Sequence, residues 1–157
     1  MQVLDVMRYG QDMVMETARR YRPEDWSRVA LGVWTAKDLL GHLSAFEVRM
    51  ADVLATFVDE APASDLMSAD TETFNDDQAA IRADWPIEQV LEEFTSAHAR
   101  LMTHALRIPA ERWRELGTIP WYGADYSLDD LVIYQLYGHK REHDPQLSAA
   151  LEGVPQA

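Results

Sequence analysis

The chain has 157 residues, 47% of them hydrophobic, with 27 acidic against 14 basic side chains, a formal net charge of −13 and no cysteine. That length and apolar fraction fit one folded domain with a substantial core. The acidic excess disfavours nucleic acid as a partner, because binding a phosphate backbone draws on clustered Lys and Arg. The absent cysteines exclude disulfides and thiolate metal sites, leaving nitrogen and oxygen donors for any metal.

The first twenty residues, MQVLDVMRYGQDMVMETARR, carry charges throughout and lack the apolar centre of a signal peptide. Nowhere does an apolar run reach the roughly 18 residues needed to span a bilayer, so a cytoplasmic protein without membrane contact is expected. Val3, Met7, Met13, Val14 and Ala18 recur at helical spacings and predict an amphipathic helix ending before Pro23, with Gly10 as a weak point. RPEDWSRVALGVW has no sustained period and reads as a connector pinned by Trp26 and Trp34.

Thr35 and Asp38 stand in the Thr-x-x-Asp arrangement of a helix start. From there Leu39, Leu40, Leu43, Phe46, Met50, Val53, Leu54 and Phe57 form one apolar stripe, with His42 beside it, that lasts until Pro62. The acidic stretch that follows predicts a solvated loop and a short helix around Phe74 to Arg82. Pro86 suits a first helical residue, and Ile87, Val90, Leu91, Phe94, Leu101, Met102 and Ala105 trace a third long helix stopping near Pro109.

IPAERWRELGTIPWYGADY reads as an irregular, anchored connection. Ser127 and Asp130 repeat the capping pattern, and Leu128, Leu131, Val132, Gln135, Leu136 and His139 share one side of a fourth helix. Asp144-Pro145 predicts a kink or restart near its end. Four long amphipathic segments without a strand pattern or an internal repeat make the fold class all-α, a four-helix bundle forming a single domain over residues 1–157, with connections long enough for crossovers.

His139 and His143 lie four apart in GHKREHDPQL and project side by side from one helix turn, a geometry that can chelate. His42 is the natural third donor from a neighbouring helix. The alternative is a helix face that happens to carry two imidazoles, with His42 at the edge of the core. His98, on an apolar face, reads as structural, and His104 as an exposed residue between Arg100 and Arg107. Asp38 and Glu47 flank His42 as second-layer acceptors that could fix an imidazole tautomer, or as surface charge. Trp121, Tyr122 and Tyr137 are candidates for an aromatic pocket wall, or simply for core packing. No Gly-rich phosphate loop, Gly-x-Ser-x-Gly elbow or His-Glu-x-x-His is present.

WTAKDLLGHLSAFE (34–47), FN (74–75) and YGHKREHDPQL (137–147), in that order, resemble the DinB-like superfamily of four-helix bundles over nearly the whole chain. That superfamily includes mycothiol-dependent maleylpyruvate isomerases and other low-molecular-weight-thiol transferases, proteins induced by DNA damage, and small-molecule resistance proteins of the colibactin self-protection type. The resemblance implies a bundle, often a homodimer, with a three-histidine site for a divalent metal such as zinc or nickel, matching His42, His139 and His143. It also suggests that Asn75 of the Phe74-Asn75 pair borders the pocket, unless that residue only caps a helix or turn.

Two kinds of function follow. One is a metal-dependent thiol S-transferase or hydrolase acting on a small molecule, the external thiol, such as mycothiol or bacillithiol, replacing the cysteine that the chain lacks. The other is a sequestering or resistance protein that binds a small molecule without turnover. A stress-induced protein whose acidic surface meets a basic partner is a weaker third.

Overall fold

Two reciprocal capping boxes set the starts of the helices that carry the candidate site. The computed structural model describes residues 2–154 and 157. In chain order the helices are α1 (Val3–Ala18), α2 (Ala36–Thr56), α3 (Phe74–Arg82), α4 (Ile87–Ala105), α5 (Leu128–Val132) and α6 (His139–Leu151), α5 and α6 being joined by a π-helical turn, Ile133–Gly138. At the start of α2 the Asp38 amide donates to the Thr35 hydroxyl (3.2 Å) and the Thr35 amide donates to the Asp38 carboxylate (2.9 Å). Ser127 and Asp130 repeat the arrangement ahead of α5 at 3.3 and 2.8 Å. Such a cap satisfies amides that the first helical turn leaves free and stabilises by about 1 kcal/mol.

The α1, α2 and α4 helices and the continuous α5–α6 rod form an all-α bundle in which α2 packs most extensively on α4. The short α3 lies across α2 and is tied to α4 by Arg82, whose guanidinium donates to both Glu93 carboxylate oxygens at 2.7 and 3.0 Å. Gly41 permits that crossing, because a Cβ there would stand 3.2 Å from the Arg82 side chain. Gly10, the weak point of α1, has a similar use: a Cβ would stand 3.2 Å from the Leu136 carbonyl, so glycine lets α1 approach the π-turn.

Hydrophobic residues fill two clusters stacked along the bundle. One gathers Met7, Met50, Leu54, Leu101, Leu131 and Leu136, and the other Val14, Leu40, Leu43, Phe94 and Leu147. Each such side chain, fully buried, stabilises by about 1.5–3 kcal/mol. Between the clusters lies a polar layer with one residue from each long helix: Gln11, Glu47, His98 and Lys140. The Lys140 ammonium is ion-paired with Glu47 and donates to the Gln11 amide oxygen (3.0 Å), and His98 Nδ1 lies 3.1 Å from the second Glu47 oxygen.

The structure departs from the sequence expectations in two places. A small antiparallel pair, β1 (Val29–Leu31) with β2 (Trp34–Thr35), sits in the connector and turns at Gly32, whose φ of 55° favours glycine. The fourth helix also continues through Pro145 to Leu151 without restarting. Arg141, whose carbonyl loses its amide donor, and Pro145 are both exposed, so water can complete that carbonyl. The irregularity lies upstream instead, in the π-turn.

Candidate metal centre

His42 comes from the second turn of α2, while His139 and His143 occupy successive turns at the start of α6. Their ring centroids stand 4.7 Å (His42 to His139), 4.7 Å (His139 to His143) and 5.1 Å (His42 to His143) apart, close to an equilateral triangle. One ring nitrogen from each lies within 4.8 Å of the others. The Nε2 atoms of His42 and His139 face each other at 2.8 Å. His143 Nδ1 lies 2.7 Å from the Gln146 amide oxygen, which assigns the proton of that ring to Nδ1 and leaves Nε2 free. Two imidazole nitrogens thus meet at the centre, and the third ring keeps its outer nitrogen occupied.

Burial and mutual repulsion keep two of the three rings neutral. Burial, reinforced by His139 and His143, pushes the His42 pKa down to about 3. Burial, with His143 and Lys140, lowers that of His139 to about 4, while the Gln135 carbonyl and Glu47 oppose the fall. Both rings are therefore neutral at pH 7, the form that ligates metals. His139 Nδ1 is buried and makes no regular hydrogen bond. An all-imidazole donor set fits zinc, nickel and other divalent ions of the later first row.

The triangle forms the floor of a cavity of about 550 Å³ lined also by Leu31, Trp34, Phe46, Asn75, Tyr134 and Glu142. Trp34 lies 5.1 Å from His42, and Phe46 lies 5.0 Å from His42 and 4.5 Å from His139 between ring centroids. An aromatic wall of this kind lowers the local dielectric around the imidazoles.

The profile of a family described as "Mycothiol maleylpyruvate isomerase N-terminal domain" matches residues 8–128. The chain belongs to that family. Through it the chain is a member of the DinB-like superfamily. The matched stretch contains His42 and Asn75 and ends before His139 and His143, so it is the folded geometry that adds the other two histidines to the first. No curated protein and no solved structure matches the chain significantly.

Within this DinB-like bundle the remaining candidates are placed as follows. Asn75, at the start of α3, lines the cavity. Trp121, Tyr122 and Tyr137 do not. Trp121 is exposed beside Tyr122, which packs against the cluster around Met7 and Leu131, and Tyr137 turns toward Tyr9 at 6.1 Å. The π-turn decides this exchange, presenting Tyr134, Gln135 and Gly138 to the cavity and sending Tyr137 toward α1. Asp38 is consumed by the cap of α2, and Glu47 faces Lys140 and His98, so neither orients His42.

His104 is buried, not exposed, with Nδ1 3.7 Å from Glu60. Its position between two arginines concealed a place on the inner side of α4 beside the buried Leu101 and Ala105. Sequence reasoning also missed Tyr134 and Glu142 in the cavity lining. Glu142, one residue before His143 and three after His139, was available from helical spacing.

Proposed function

We propose that the chain is a divalent-metal protein of the mycothiol-linked branch of the DinB-like superfamily, binding a low-molecular-weight thiol and a small electrophilic substrate in the cavity above His42, His139 and His143. The observation that carries this reading is the convergence of three imidazoles, two of them with strongly lowered pKa values, on the floor of an accessible aromatic cavity. Three histidines satisfy a divalent cation only in part and leave a coordination position for an exogenous ligand. A cation held there supplies Lewis-acid stabilisation of a thiolate at neutral pH.

The side chains of this chain do the rest. Trp34, Phe46 and Tyr134 offer apolar and stacking surface, and Asn75 and Gln135 offer amide donors and acceptors to a hydroxyl-rich thiol. Glu142, exposed at the mouth, is the carboxylate of the lining and accepts a proton or a hydrogen bond there. The chain has no cysteine, so thiol chemistry requires the external thiol. The same aromatic wall favours, as a second reading, a protein that sequesters an apolar small molecule.

Zinc-loaded and metal-free protein, each with and without mycothiol, separate the two when assayed for S-conjugation of a panel of small electrophiles. Turnover that needs both metal and thiol, and disappears in folded His139→Ala, is expected. Absence of thiol-dependent turnover, together with apolar-ligand binding retained in His42→Ala, would instead establish sequestration.

A further inference from the structure

The π-turn between α5 and α6 ends where the metal triad begins. At its end the His139 amide donates to the Tyr134 carbonyl, five residues back, and not to Gln135, four back. The Gln135 carbonyl is thereby released from the donor that an α-helix would give it. The imidazole of His139 lies on the same turn, its Nδ1 buried and without a regular hydrogen bond. We propose that the π-turn is a positioning element of the metal site, freeing the Gln135 carbonyl to take the Nδ1 proton of His139 so that Nε2 is presented to the cation.

Three observations converge on this role. The displaced amide bond frees the acceptor, and the buried Nδ1 supplies a donor in need of one. His143 solves the same problem with a side chain, since Gln146 takes its Nδ1 at 2.7 Å. A carbonyl or amide acceptor on the outer nitrogen fixes both the tautomer and the ring direction of a metal-binding histidine. With His139 protonated on Nδ1, the 2.8 Å contact between Nε2 atoms has His42 donating and His139 accepting. A continuous α-helix would leave the Gln135 carbonyl occupied by the His139 amide.

The inference rests on the metal reading of the triad, and the test separates the two. Long-range proton–nitrogen NMR of the ¹⁵N-labelled full chain reads the tautomer of each imidazole before and after zinc, with His139→Gln identifying the His139 signals. His139 protonated on Nδ1 in both states, with its Nε2 resonance moving on zinc addition, is expected. An Nε2-protonated His139 in the metal-free chain, or zinc on Nδ1, overturns the role of the π-turn. Zinc leaving every imidazole signal unmoved overturns the metal reading, and the metal-free tautomer still decides the other. As a second arm, deletion of Ile133 returns the segment to α-helical pairing. Zinc affinity, measured by chelator competition, is expected to fall by about 10- to 100-fold in the folded deletion variant. Unchanged affinity in that variant contradicts the proposal, and if the variant does not fold, the tautomer of His139 in the parent chain decides between the two outcomes.

Discussion

His42 is buried and His139 half-buried among aromatic rings, and the two lie beside each other; both features penalise protonation. In the unfolded chain each takes up a proton near the ordinary value of 6.5, whereas in the fold they remain neutral down to about 3 and about 4. Between these limits the unfolded state binds more protons. The contribution of these two rings to the stability of the metal-free chain is therefore complete above about pH 6.5 and falls as pH drops, levelling only below the folded-state values. Each proton taken up on unfolding contributes a slope of up to about 1.4 kcal/mol per pH unit. Urea unfolding of metal-free protein between pH 5 and 7 should show this slope, reduced in His42→Ala. An identical slope in the two proteins would mean that His42 titrates normally in the fold. The triad was legible as residues because α-helical spacing fixes His139 beside His143. Its tautomers were not, because the acceptor of His143 is a glutamine three positions on and the one proposed for His139 is a carbonyl freed by a π-turn.

At the scale of elements, the bundle is crossed by the Gln11–Lys140–Glu47–His98 layer. Burial pulls the Lys140 pKa down against the attraction of Glu47. Burial acts in the opposite sense on Glu47, where Lys140 and His98 prevail and the net shift is downward. The two side chains form a buried ion-pair contact, and one partner alone would be a buried ionisable group without compensation. Lys140→Met should accordingly destabilise by about 3–5 kcal/mol, while Lys140→Met with Glu47→Met should recover most of that loss. Denaturant unfolding of the two variants tests this, and equal destabilisation in both would show that the pair does not act as a unit. The layer was readable in part: Glu47 stands between Leu43 and Met50 in the α2 stripe and His98 between Phe94 and Leu101 in that of α4. Lys140 escaped notice because a lysine between two candidate ligands reads as solvated charge. The π-turn escaped because no residue type marks it, whereas Thr35 and Ser127 announced their helices through capping chemistry.

Over the whole molecule, four periodic apolar stripes, two of them with side-chain caps at their starts, specify a bundle because each has one face to bury and only the others to bury it against. The small hairpin at Val29–Thr35 was invisible to periodicity, being too short to alternate, yet it places Trp34 over His42. Among the described residues no helix is long and apolar enough to cross a membrane. The bundle brings together histidines that are 97 residues apart in the chain. A metal held by all three joins α2 to α6 and stabilises the fold by mass action. The most direct measurement is elemental analysis of the untagged chain after reconstitution with zinc or nickel, beside His42→Ala, His139→Ala and His143→Ala variants checked for folding by circular dichroism. The account predicts about one metal ion per chain in the parent, lost from each folded variant. A folded parent that retains no metal, or variants that retain it fully, would contradict it.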